Sequence, residues 1–504
     1  MDKNILNYLD KTETEYSNKT AFADSDGREI SFKELKEESA IVGSFIMAKF
    51  ENVSNKPVAV LTERNIKSIP AFLGVVYAGN FYIPVDATLP EERISVMLDL
   101  AEPLMVINCT DKVYNLKNHS VISYDEIKNQ TSKIVPRKNV ISTAPLYGIF
   151  TSGSTGVPKL VVKNHLSLIS FVDEYVETFN FSVNDIQGNQ IPFYFDASTK
   201  DLFATLKVGC TTKIISKAYF SQPGKLAEYI ENNGITSICW VPSALAMLSM
   251  FNVFSKYPLK NIKRVLFVGE AMHPKQLNVW VKALPWADFI NLYGSTENAG
   301  NCLYYIIKTA IDENEKVPIG KAFKNVDVFL LNDEDKLIDS TNTEEMGEIC
   351  LSGNTLALGY YKQSCSCDKF CQNPLNTSYY ERIFRTGDLA KYDQDGNIVY
   401  ICRKDYQIKL SGYRIELCDI DASAMLLDGV KSACSIFDEA KKKIVMFYAA
   451  ETEIQPELMA HLKSKLPTYM IPSKYIYLKD MPLNANGKVH RTKLKEIYEQ
   501  MTNK

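Results

Sequence analysis

Tyr147-Gly148-Ile149-Phe150-Thr151-Ser152-Gly153-Ser154-Thr155-Gly156-Val157-Pro158-Lys159 is the stretch whose reading decides the fold. The apolar run 146–150 predicts a short strand. Residues 151–156 then supply two glycines and four hydroxyl side chains, and Lys159 follows. Glycine lets a backbone take positive φ and approach an anion closely. Successive N–H groups in such a turn form an anion-binding nest, and hydroxyls with a lysine add donors for phosphate oxygens. The spacing is not the G-x-x-x-x-G-K-[ST] of a P-loop opening a helix. Pro158 and the run Leu160-Val161-Val162 predict a second strand instead. The expectation is a loop that joins two strands and closes over a triphosphate. A plain Ser/Gly-rich linker is the bland alternative, but linkers are not normally this short between two strand-like runs.

Outward from the loop, strand and helix patterns alternate, which argues for an α/β architecture. On the N-terminal side, Ile30-Ser31-Phe32 passes from a short strand into a helix. Strands are expected at 58–61, 82–85, 105–107 and 121–122, with helices at 69–78 and after Pro90. On the C-terminal side, Ser221-Gln222-Pro223 predicts a capped helix start and Gly234 its end. Strands are expected at 235–241, 264–268 and 288–292, with a helix at 243–251. Gly269-Glu270-Ala271 and Tyr293-Gly294-Ser295-Thr296-Glu297 lie just past strand ends, the edge where open α/β sheets bind ligands. From about Gly320 the strands shorten (326–331, 348–351, 398–401), and Asp395-Gly396 is a hairpin turn signal. Past Asp405 a fresh pattern begins: 442–448, 456–465, 475–478. The expected division is a large domain, 1–404, and a small α+β domain, 405–504.

Composition bounds the function. A chain of 504 residues is long for one core. A net charge of −3 gives no electrostatic case for nucleic acid. No apolar run reaches the ~20 residues of a membrane span, and the first residues lack the apolar core of a signal peptide. The eleven cysteines mostly sit singly in apolar runs such as Ile238-Cys239-Trp240. That fits buried thiols in a reducing cytoplasm. Cys365, Cys367 and Cys371 match no common zinc spacing.

Ten motifs, at residues 30–35, 73–94, 151–159, 193–198, 293–297, 347–360, 385–388, 403–416, 466–472 and 486–488, occur together in order. With them the chain resembles the adenylate-forming (ANL) superfamily. Within it, the chain resembles amino-acid adenylation domains and freestanding amino-acid–carrier-protein ligases. The resemblance implies an N-terminal domain of two α/β subdomains and a β-rich one, and a mobile C-terminal domain hinged at Asp405. It also implies two half-reactions. A carboxylate attacks the α-phosphate of ATP, giving an acyl adenylate and pyrophosphate. A phosphopantetheine thiol on a carrier protein then takes the acyl group.

The same resemblance assigns roles. Thr151, Ser152, Gly153, Ser154, Thr155 and Lys159 would cover the β- and γ-phosphates. Thr296 would contact the α-phosphate and Glu297 would hold Mg²⁺, a hard cation that takes oxygen ligands; a solvated acid at a helix start is the alternative for Glu297. Asp388 would accept both ribose hydroxyls. Tyr293 and Tyr400 would flank the adenine, with Gly269, Glu270 and Ala271 along its edge and Gly294 and Ser295 beside it. Arg403 would sit on the ribose or phosphate side. Lys488, in Asn486-Gly487-Lys488, would bring a cation to the transition state. Cys402 stands where the family usually has glycine, which puts close backbone packing there in question.

Asp196, in Phe195-Asp196-Ala197-Ser198, matches the acid that pairs with a substrate's α-ammonium, and so favours an amino acid over the acids of acyl- and aryl-CoA ligases. The remaining pocket would include Ala197, Lys200, Ser243, Leu266, Val268, Leu292, Gly300 and Asn301. A lysine in a small pocket is costly unless it meets an anion, so Lys200 suggests an acidic or amide substrate side chain. Alternatively it snorkels out or pairs with a protein carboxylate. After Lys488 only residues 489–504 follow, with no Gly-Gly-His-Ser-type attachment site, so a carrier protein acting in trans is expected. D-Alanine–carrier protein ligases are the runner-up within the family, and a non-catalytic nucleotide-binding relative is the third reading.

Overall fold

A computed structural model describes residues 3–51, 53–130, 133–151, 158–362, 369–404, 407–482 and 489–502. The chain divides into two compact units. The first comprises Met1–Ala87, Leu98–Phe150 and Leu160–Lys404; the second comprises Thr88–Met97, Thr151–Lys159 and Asp405–Lys504.

The first unit is built on three sheets. A seven-stranded sheet runs Gly359–Tyr360, Lys159–Asn164, Pro145–Thr151, Phe81–Asp86, Pro57–Thr62, Val106–Asn108, Val121–Ser123. Its inner strands pair in parallel and are buried on both faces, as their unbroken apolar runs require. The strands on either side of the glycine-rich stretch form as the sequence predicts. A nine-stranded sheet has a parallel centre: Asp288–Tyr293, Arg264–Val268, Ser237–Trp240, Ile186–Asn189, Thr211–Ile214, Thr20–Asp24. The third sheet is antiparallel and holds Val326–Leu331, Gly347–Gly353, Arg382–Tyr392, Phe370–Gln372 and Ile398–Arg403. One apolar core joins residues of all three.

Local chemistry explains the element ends. Helix Phe32–Lys49 starts in a capping box: Ser31 Oγ accepts from Glu34 N–H (3.2 Å) and the Glu34 carboxylate accepts from Ser31 N–H (2.8 Å). The turn at 393–397 is pinned by Asp393, whose Oδ1 accepts from the N–H groups of Asp395 and Asn397, and Gly396 takes φ +70°. One expectation fails in detail. The helix expected to be capped at Ser221 is Pro223–Asn232, its cap position is Gln222, and no side chain caps it. Ser221 ends a preceding 3₁₀ turn and spends its hydroxyl on the Ala218 carbonyl.

The second unit packs helices Leu417–Met425, Gln455–Lys465 and Arg491–Thr502 with a three-stranded sheet of Val430–Asp438, Lys443–Ala450 and Lys474–Leu478. The chain thus is mixed α/β throughout, with the α+β character expected after Asp405. No helix among the described residues is long and apolar enough to cross a membrane.

His165 begins the buried helix His165–Thr178 and is 1% exposed. Its Nδ1 accepts from the Ile5 N–H (3.2 Å), so the ring is neutral. Burial pushes it down to about 4 from its ordinary 6.5. Above 6.5 the ring is neutral folded or unfolded. Between 6.5 and 4 only the unfolded chain takes up the proton, so stability falls as pH falls through that window, by at most ~3 kcal/mol. Urea titrations at about pH 7 and about pH 4.5 should show His165→Gln, which keeps an acceptor, losing less stability than wild type between the two. Equal losses would assign the acid sensitivity elsewhere.

Candidate active site

Four neighbouring strands of the nine-stranded sheet, Asp288–Tyr293, Arg264–Val268, Ser237–Trp240 and Ile186–Asn189, run parallel, so their carboxyl ends share one edge. The segments that leave that edge carry Tyr293–Asn301, 269–271, Ser243 and Asp196. Part of the set anticipated from sequence therefore shares one sheet edge by topology, while Asp388, Tyr400 and Arg403 come from the antiparallel third sheet and Thr151 and Lys159 from the seven-stranded one.

One cluster centres on Asp388, 3% exposed on the long strand Arg382–Tyr392. The Tyr293 hydroxyl donates to its Oδ2. Arg403 Nη1 donates to its Oδ1 at 2.7 Å, and Nη2 to the Thr386 carbonyl at 3.2 Å. Asp388 and Arg403 face each other because their strands are in register. Burial first, then the Asp388 charge, holds the Tyr293 phenol well above its ordinary range, so it remains a donor. Tyr400 is half-buried on the same strand as Arg403, opposite Ala390. Cys402 is exposed and paired opposite Leu389. The side chain turns to solvent, so the strand closes without the glycine.

Beyond strand Arg264–Val268, Gly269 takes φ +98°, which a side chain would resist. Glu270 accepts from the Ser243 N–H (3.0 Å), while Ser243 and Ala271 are exposed. After Tyr293 the chain packs too tightly for side chains at two points. A Cβ on Gly294 would lie 2.7 Å from the Gly300 carbonyl oxygen, and one on Gly300 would lie 2.2 Å from the Phe171 ring. Thr296 is half-buried in the turn. Glu297 is fully buried, not at a helix start, and accepts from the Tyr360 hydroxyl (2.8 Å). That removes the solvated-acid alternative. Ser295 Oγ and Asn301 Oδ1 are buried without a hydrogen-bond partner among the described residues.

Of the glycine-rich stretch, Thr151 ends its strand, 8% exposed, with its hydroxyl toward the Lys159 carbonyl (3.4 Å). Ser152, Gly153, Ser154 and Thr155, the expected hinge residue Asp405, and Lys488 lie outside the described residues.

The second cluster centres on Asp196, 7% exposed. Tyr147, on the strand that precedes the glycine-rich stretch, donates to its Oδ1 (2.8 Å), and the Lys163 ammonium pairs with the same oxygen. Lys163, fully buried, also donates to the Asn298 carbonyl at 2.8 Å. Burial draws the Lys163 ammonium down from its ordinary value, while Asp196 and, more weakly, Glu297 oppose the shift. Sequence reasoning did not single out Lys163 or Tyr147. The available signal was a lysine directly after the apolar run Leu160-Val161-Val162, where strand Lys159–Asn164 is almost wholly buried.

Lys200 lies in helix Thr199–Val208 and is fully buried, which removes the snorkelling alternative. Its ammonium makes no hydrogen bond among the described residues, so no protein carboxylate there neutralises it directly. The Cys239 thiol and the Asp201 carboxyl feel its charge. Burial pushes Asp201 up to about 6, against the Asn189 hydrogen bond (2.8 Å). Leu266, Val268 and Leu292 are buried on adjacent strands, in register through Val268 and Leu292. Ala197 is half-buried beside Asp196.

Comparison with known proteins gives this site a family. The chain is 32% identical over 452 residues to gramicidin S synthase 2 of Brevibacillus brevis, covering 88% of this chain but only 10% of that synthase's length. It is 28% identical to a D-alanine–D-alanyl carrier protein ligase of Bacillus cereus, covering 97% of this chain and 98% of the ligase. Among solved structures it shares its fold with the Vibrio cholerae adenylation domain AlmE, crystallised with glycyl-adenosine-5'-phosphate (TM-score 0.82, 20% identity, 100% and 98% covered). The family model for AMP-binding enzymes matches residues 9–361, and with that match the chain belongs to the AMP-binding enzyme family.

Proposed function

We propose that this protein activates an amino acid with ATP as an aminoacyl-AMP, releasing pyrophosphate, and passes the aminoacyl group to the phosphopantetheine thiol of a carrier protein in trans. One observation carries the reading. Residues 293–298 are tied at one end to Asp388 through Tyr293, and at the other to Asp196 through Lys163 and the Asn298 carbonyl. A single rigid segment therefore spaces a carboxylate suited to ribose hydroxyls from one suited to an ammonium. Glycyl-adenosine-5'-phosphate in AlmE and the carrier-protein activity in the ligase's name support the same two-step chemistry.

In this reading Asp388 accepts the ribose hydroxyls and Arg403 pairs with it at 2.7 Å. Tyr293 and Tyr400 bound the adenine, with Gly269, Glu270 and Ala271 at its edge. Thr296 meets the α-phosphate. Residues 151–159 hold the outer phosphates. Lys488, on the domain 405–504, offsets charge as the substrate carboxylate attacks phosphorus and pyrophosphate leaves. Mg²⁺, when bound, would neutralise charge on the phosphates. Glu297 fits it: one buried carboxylate suffices for a cation that takes its other ligands from phosphate and water. Six described cysteines are buried free thiols, in keeping with a cytoplasmic setting.

The side chain of the substrate is read from Lys200. A buried ammonium without a partner is expensive, and a carboxylate or amide on the incoming amino acid would satisfy it. The first candidate is glutamate-like. A second reading, D-alanine, is favoured by full-length similarity to the D-alanine ligase, but a small apolar substrate leaves Lys200 unsatisfied. In ATP–pyrophosphate exchange across the amino acids, acidic or amide residues should lead, and Lys200→Met should remove their advantage by about a hundredfold. Alanine leading in wild type, with no signal from acidic residues, would sink the acidic pocket.

The C-terminal lysine is tested separately. Lys488→Ala should lower exchange by ~10²-fold or more while leaving equilibrium ATP binding within about tenfold. Undiminished exchange would remove Lys488 from the chemistry.

A further inference from the structure

An acid meant for a substrate's α-ammonium should wait unpaired or hydrated. Asp196 does neither. Its Oδ1 already carries the Lys163 ammonium and the Tyr147 hydroxyl, and the residue is 7% exposed. Lys163 is itself fully buried and anchored by the Asn298 carbonyl at 2.8 Å, so it cannot swing into water when a substrate arrives. The charge of Asp196 is thus matched before any substrate binds. Lys200, buried nearby with no hydrogen-bond partner among the described residues, leaves the pocket wanting an anion rather than a second cation.

We infer that Lys163 sets specificity as an internal counter-ion: by neutralising Asp196 it removes most of the advantage of an α-ammonium, so acids bearing a 2-hydroxyl instead are activated almost as well. The inference rests on the adenylation reading, with Asp196 facing the α-position. The physical contrast is large. A buried carboxylate with no internal partner rejects an analogue lacking the expected ammonium by ~10⁴-fold, because the acid is then stranded. A carboxylate that keeps an internal ammonium is stranded by neither substrate. Lys163 acts through Asp196 and is a positioning residue, not a catalytic one.

The test compares kcat/KM in ATP–pyrophosphate exchange for the best amino acid and its 2-hydroxy analogue, in wild type, Lys163→Met, and the double variant Lys163→Met with Asp196→Asn. Wild type should prefer the amine by only about tenfold. Lys163→Met should raise that preference by about a hundredfold or more, since Asp196 then lacks a cation, and the double variant should return it to near the wild-type ratio. A wild-type preference of ~10³ or more overturns the inference even if the single variant does not fold. So does a ratio within about twofold across all three proteins, with both substrates slowed alike, which marks the pair as structural. Exchange with no acid at all in wild type would instead overturn the adenylation reading, and this inference with it.

Discussion

The buried ammonium of Lys163 is the interaction on which the site's geometry depends. It joins three parts of the chain that no secondary-structure ladder connects: its own strand, the Asp196 turn, and the segment after strand Asp288–Tyr293. An ion pair of this kind is not a strong source of net stability, because desolvating both charges offsets their attraction. Its value lies in what breaking it would cost. With one partner gone, the other is left charged in an apolar enclosure, a penalty of roughly 3–5 kcal/mol. The three segments are therefore held in one arrangement.

The contrast with Asp185 shows how a purely structural buried charge is treated. Arg264 meets it with two nitrogens, at 3.2 and 3.1 Å, Thr236 and the Ser182 N–H complete its shell, and Arg264 spends another bond on the Asn180 carbonyl. Burial pushes the Asp185 carboxyl up, and these partners outweigh it. Every buried polar atom of that pair is used, as folded proteins ordinarily require. Lys200 Nζ, Ser295 Oγ and Asn301 Oδ1 are the opposite case. All three lie on segments that leave or cover the carboxyl edge of the same parallel sheet. Other buried polar atoms also lack a partner among the described residues, Tyr175 Oη and Asn325 Oδ1 for example, but three of them gathered at the ligand-binding edge of one sheet are what a site awaiting a polar ligand would show.

Legibility in the sequence follows the same division. The buried parallel strands announce themselves, because a strand covered on both faces must be apolar throughout: Pro57–Thr62, Phe81–Asp86 and Arg264–Val268 appear nearly where their runs lie. Helices with no solvent face are harder. Thr199–Val208 is buried over eight of its ten residues, yet it includes Lys200 and Asp201, so neither amphipathic period nor hydrophobicity marks it. The Asp388, Tyr293 and Arg403 group was reached as separate motifs by family resemblance, but not its mutual bonding, which depends on strand register. Lys163 was invisible for a different reason. A lysine in a strand reads as an edge or a solvated face, and only tertiary structure reveals that the opposing wall holds an acid.

Rigidity around the segment 293–301 gives these charges their precision. Gly294 and Gly300 let the backbone close against Asn301 and Phe171 where any side chain would collide. Thr355 Oγ1 donates to Asn298 Oδ1 at 2.6 Å, and the Ala357 N–H donates to the Glu297 carbonyl at 2.9 Å, so the third sheet's strand exit braces the turn from outside. Electrostatic stabilisation is effective only when the dipoles and charges need not reorganise as the reaction proceeds. A turn fixed by packing at its glycines, by hydrogen bonds at Glu297 and Asn298, and by an ammonium beneath it meets that condition. The Asp388 and Asp196 carboxylates, tied to the two ends of this segment through Tyr293 and Lys163, are therefore held at a fixed spacing by the fold.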